Sequence, residues 1–87
     1  MKNDFLLHLA WSERLSTAEL CGLIDAYQQK VEMELAMCQE KVRRQQSGQG
    51  RSAREGYVWG MIRQNRVMLL QAELNWLARL RSGLASK

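Results

Sequence analysis

The sequence predicts an all-α fold, a short N-terminal helix followed by a long antiparallel helical hairpin, completed by dimerisation. Three observations predict it. The 87 residues contain no proline, and Ala, Leu, Met, Glu, Gln, Lys and Arg dominate, so summed propensity favours helix almost throughout. Two Ser-x-x-Glu signals, Ser16 to Glu19 and Ser52 to Glu55, have the form of capping boxes and mark helix starts. Two glycines in three residues, Gly48 and Gly50, divide the rest into two runs of roughly 30 residues, each about 45 Å long as helix. The length suits one domain, residues 1–87. At 46% apolar and 25% charged the chain is globular in composition.

The first helix is expected over about residues 4–12, capped by Asn3 or Asp4, with Phe5, Leu6, Leu9 and Ala10 on one face. Glu13-Arg14-Leu15 then turns. Ser16 opens the second helix with Glu19 at the third helical position. Leu15 and Leu20 flank that start as a hydrophobic staple. The helix is expected over about 17–46. Leu20, Ile24, Tyr27, Val31, Leu35, Cys38 and Val42 recur at spacings of four, three, four, four, three and four, close to a heptad seam and so to coiled-coil packing. Ala26, Met33 and Met37 add a weaker strip. Gly22, inside this helix, is read as a mark of close approach by another helix. The Gly-rich loop is expected at 47–51, and the third helix over about 53–82, ended by Ser82 and Gly83 with the last residues frayed.

The third helix is the element around which the rest is organised. At 100° per residue its apolar side chains do not form one stripe. Val58, Ile62, Leu69, Trp76 and Leu80 share a face. Trp59, Leu70, Leu74 and Leu77 lie a quarter turn away, and Tyr57, Met61, Met68 and Ala72 lie on the other flank. Only Gln64, Gln71, Asn75 and Ser82 form a polar strip. One chain has too few other residues to cover so much apolar helix, so a second copy is expected to do so. The expected contact uses Ile62, Leu69, Trp76 and Leu80, with Phe5, Leu6 and Leu9 of the first helix packing across the partner.

Chemistry finds little support. His8 is the sole histidine, and no metal-ligand spacing, phosphate loop or Ser-His-Asp set is present. No catalytic residue, metal or cofactor is expected. Cys21 and Cys38 sit 17 apart on one helix, roughly 25 Å, too far for a disulfide. They read as two thiols in a reducing cytosol. With no secretory signal and no membrane-spanning stretch, a soluble cytoplasmic protein is expected. The formal net charge is +4, and Lys41 to Arg66 holds seven bases against one acid, Glu55. That end of the hairpin is either a phosphate contact or a solvated tip. Tyr57, Trp59, Met61, Met68 and Trp76 either pack as core or line a flat apolar slot between subunits for a small aromatic effector.

The run Phe5-Leu6-Leu7-His8-Leu9-Ala10-Trp11-Ser12-Glu13-Arg14-Leu15-Ser16-Thr17-Ala18-Glu19-Leu20 resembles the opening of the C-terminal domain of PadR-like transcriptional regulators, the phenolic acid-responsive type. Gly56-Tyr57 and Gln71-Ala72-Glu73-Leu74-Asn75-Trp76-Leu77 resemble that domain's closing helix. The resemblance extends over about Phe5 to Leu84. It implies that these helices pair two subunits into a homodimer, and that DNA is read only through a winged-helix domain, which does not precede Phe5 here. It also implies that an aromatic compound can act as effector. Two other readings stand beside it. One is a small helical dimeric enzyme of chorismate mutase type, with Arg63 and Arg66 facing inward, although that family's spacing is not recognisable. The other is a helical adaptor that pairs with a full-length regulator.

Overall fold

The computed structural model describes residues 2–44 and 52–86. Helices occupy 93% of them and no strand is among them, so the fold is all-α. Helix α1 spans Lys2–Ala10, a 3₁₀ turn covers Ser12–Arg14, α2 spans Thr17–Arg44, and α3 spans Ala53–Ala85.

The caps decide where the two long helices begin. The Ser16 N–H donates to Glu19 Oε1 at 2.9 Å, and the Glu19 N–H donates to Ser16 Oγ at 3.1 Å. Each bond satisfies a donor that the first turn would otherwise leave unpaired. At the start of α3, Ser52 is extended (φ −151°, ψ 166°) and its Oγ accepts the Glu55 N–H at 3.1 Å.

Helices α2 and α3 form an antiparallel hairpin. Tyr27 meets Glu73, Glu34 meets Arg66, and Asp25 meets Arg81, so one number falls as the other rises. The result is a rod of 54 × 19 × 17 Å. Its radius of gyration is 17.0 Å, against about 12 Å for a compact domain of this length. All seven residues of the α2 seam, Leu20 to Val42, are buried or half-buried. The facing α3 seam is Val67, Leu70, Leu74, Leu77 and Leu84, which repeats the three-and-four spacing. Phe5, Ile24 and Leu77 form the centre of the core, with Leu9, Leu20, Leu23, Tyr27, Leu74, Leu80 and Leu84 packed around it.

Three local expectations change. Helix α1 lies at Lys2–Ala10 instead of 4–12, and Ser12 falls in the 3₁₀ turn. Helix α3 does not stop at Ser82 and Gly83 but continues to Ala85. Leu84 packs against the core seven residues after Leu77, and that burial outweighs the modest helix penalty of one glycine. Gly22 marks no close approach: a Cβ there would meet nothing within 4 Å. The expected ends at residues 45–46 and the loop at 47–51 lie outside the described residues.

Candidate functional site

The hairpin buries one seam of each long helix and leaves the other faces to solvent. On α3, Val58, Ile62, Leu69 and Trp76 share a face turned away from α2, and all four are exposed. Tyr57, Trp59, Met61 and Met68 are exposed on the neighbouring flanks, Tyr57 to 68%. On α2, Met33 and Met37 are exposed, and on the N-terminal segment Leu6, Leu7 and Trp11 are, Trp11 to 77%.

The residues expected at a subunit contact divide into two groups. Leu6, Ile62, Leu69 and Trp76 keep large exposed areas. Phe5, by contrast, is 5% exposed and is covered by its own chain, stacked on Tyr27 and edge-on to Trp76 with ring centroids 6.4 Å apart. Leu9 and Leu80 pack against that same core. The α1 side chains with free surface are instead Leu6, Leu7 and Asp4 together with His8.

The expected aromatic slot is not assembled within one chain. Tyr57 and Met61 line a cleft of about 440 Å³ with Gln39, Val42, Gly60, Gln64 and Val67. Trp59 and Met68 lie outside it, and Trp76 belongs to the Phe5 cluster. Nineteen residues of helix set Tyr57 and Trp76 roughly 28 Å apart. In the sequence Val42 is a position of the α2 seam, and Val67 belongs to none of the three apolar faces of the third helix. Their place in a cleft depends on how α2 and α3 meet near the hairpin tip.

A second groove, of about 930 Å³, runs between α1 and the hairpin over Phe5, Leu23, Val31 and Leu70. Its polar rim is tied together. Arg66 pairs with Glu34, and the Tyr27 hydroxyl donates to Glu73 Oε2 at 2.5 Å. Burial, then the bond to Glu73, then the Glu73 charge push the Tyr27 phenol up to about 12, so it stays neutral. On the opposite side Arg81 Nε donates to Gln28 Oε1 at 3.0 Å, and the same guanidinium pairs with Asp25. These partners join α2 to α3 at fixed register. Among the described residues no group of three or more His, Cys, Asp or Glu could hold a metal ion. Cys21 is exposed, Cys38 half-buried, and both are free thiols. Among the described residues no helix is long and apolar enough to cross a membrane.

The family described as virulence activator alpha C-term matches residues 1–85. The chain belongs to that family. Members of the virulence activator alpha C-term family are C-terminal domains of transcription regulators. No curated protein and no solved structure matches the chain.

Proposed function

We propose that this domain pairs two subunits of a PadR-like transcriptional regulator, and that the pairing sets the separation of the DNA readers carried by the intact protein. The observation that carries the reading is the α3 row Val58, Ile62, Leu69 and Trp76, which its own hairpin leaves uncovered. The surface area agrees. A folded chain of 10.1 kDa exposes about 5300 Å² by surface–mass scaling, whereas this one exposes 7203 Å². The excess, on the order of 1900 Å², is more than the ~800 Å² per partner that a stable interface needs.

In this arrangement Ile62 and Leu69 sit at the centre of the contact. Trp76 lies at its end, where one edge of the indole already rests on Phe5. Burial of the row removes apolar surface from water at roughly 25 cal/mol per Å² before the losses of association are counted. A two-fold pairing fixes the spacing of two half-site readers, which is how such a domain contributes to operator choice. The family membership supports the regulator part of this reading, and the exposed row supports the pairing part.

Sedimentation equilibrium of the purified 87-residue chain tests it. A dimer mass at tens of micromolar is expected, and Leu69→Glu returns the mass to that of a monomer with α-helical circular dichroism retained. A wild-type chain that sediments as a well-folded monomer at that concentration rules the proposal out.

A further inference from the structure

We propose that the cleft beneath the hairpin tip is a docking groove for an acidic amphipathic helix of a partner polypeptide. The cleft has an apolar floor, Val42 from α2 with Tyr57, Met61 and Val67 from α3. Two uncharged amides, Gln39 and Gln64, stand on its walls. The α3 wall runs from residue 57 to residue 67, about 15 Å, or three turns of a helix laid alongside. That length accepts apolar anchors at i, i+3 or i+4, and i+7 of a bound helix. Tyr57 and Met61 are exposed, so the groove is open along its length and suits an elongated occupant.

Charge selects the kind of helix. Arg43 lies one turn beyond Gln39, and Arg54 one turn before Tyr57, so both lie at the tip end of the cleft; both are exposed. Arg43 bonds Glu40 at 2.6 and 2.8 Å and Arg44 bonds it at 2.9 Å, which leaves that trio with a net positive charge. The amino end of α3, with its partial positive charge, lies at the same place. Seven bases against one acid give the segment Lys41 to Arg66 a net +6, in a chain whose formal net charge is +4. An acidic partner is drawn to such a groove and a basic one is repelled. A nucleic acid backbone would satisfy the charge but leave the apolar floor wet, so the combination favours a polypeptide.

The groove is separate from the face proposed for subunit pairing. Gly60 lines the cleft and Ile62 belongs to the pairing row, and at 100° per residue they point to nearly opposite sides of α3. The two surfaces can therefore be occupied together.

Fluorescence anisotropy on the full 87-residue chain tests the proposal. The probe is a fluorescein-labelled synthetic helix of about 18 residues, with Leu at i, i+3, i+4 and i+7 and Glu elsewhere. The comparison peptide carries Lys in place of Glu. Saturable binding of the Glu peptide is expected, weakening as salt is raised, with the Lys peptide at least about tenfold weaker. Met61→Glu and Arg54→Glu should each weaken the Glu peptide about tenfold, while Leu69→Glu leaves it unchanged. All three side chains are exposed on helices, so the melting curve serves as the control for folding. Equal binding of both peptides, or none of the Glu peptide, overturns the proposal. So does displacement of the Glu peptide by random-sequence duplex DNA. A Met61→Glu chain that loses its dimer mass would assign the cleft to a second copy, and overturns it too.

Discussion

Phe5 stacks face to face on Tyr27, with ring centroids 3.9 Å apart and planes 5° from parallel. The contact joins α1 to the middle of α2 across twenty-two residues of sequence, and Trp76 of α3 closes it from the edge. One aromatic cluster thus ties together all three helices. Helix α1, only nine residues long, has little else to hold it, because isolated helices of that length are marginal in water.

Phe5→Ala is therefore expected to lower stability by about 3 kcal/mol, at the lower end for truncating a buried aromatic. It should also release α1. Urea unfolding followed by tryptophan emission gives the first quantity, and amide hydrogen exchange over residues 4–10 gives the second. Retained protection of α1 in the variant would show that Phe5 is not its anchor.

The Tyr27–Glu73 bond makes a pH prediction. The folded phenol titrates at about 12, above its ordinary value of 10.0. Up to pH 10 the neutral phenol is present in folded and unfolded chains alike and its contribution is intact. Above pH 10 the unfolded chain loses the proton first, so stability falls from pH 10 towards pH 12. Tyr27→Phe removes that step and one hydrogen bond, a cost of about 1 kcal/mol at neutral pH. Urea midpoints measured between pH 9 and 12 for both chains check it; parallel pH profiles would refute the assignment.

Gly83 offers a stabilising change. It lies inside α3, and a Cβ built there meets nothing within 4 Å. Gly83→Ala should therefore raise stability by roughly 0.5–1 kcal/mol, through helix propensity and a less flexible unfolded chain. A lowered thermal midpoint would mean that the last turn of α3 is not helical in solution.

The Ser16 cap can be removed in isolation. Ser16→Ala deletes the acceptor of the Glu19 N–H and should cost about 1 kcal/mol. Glu19→Gln keeps a reciprocal acceptor for the Ser16 N–H and should cost less. Thermal melts of the two variants, with the order reversed, would contradict the cap.

The hairpin was legible because its signals are local. Ser16 with Glu19, and Ser52 with Glu55, lie three apart, so their bonds depend only on the first turn of a helix. The α2 seam from Leu20 to Val42 was equally readable, since period and burial are the same pattern seen twice. Which face of α3 would meet it was not. Three apolar faces competed, and the seam through Leu70 and Leu77 won the intramolecular contact by matching α2 at antiparallel register. The end of α3 was misread because Gly83 is a local signal and Leu84 a tertiary one. Gly22 was misread for the converse reason: its lack of a side chain is visible in sequence, and the empty space beside it is not.

For the interaction surfaces the division is similar. Sequence alone determined that α3 carries more apolar surface than one short chain can cover, and that the bases cluster between Lys41 and Arg66. Both follow from composition and helical period, which need no partner in space. Only the tertiary structure decided that Phe5 is buried in the chain's own core, with Leu9 and Leu80 half-buried against it, while Ile62, Leu69 and Trp76 keep free surface. Only it brought Val42 and Gln39 against Tyr57 and Met61 to make a cleft. The physical reason is that burial is a property of pairs: each side chain shows its own hydrophobicity in the sequence, but what covers it depends on how two helices distant in sequence come to lie side by side.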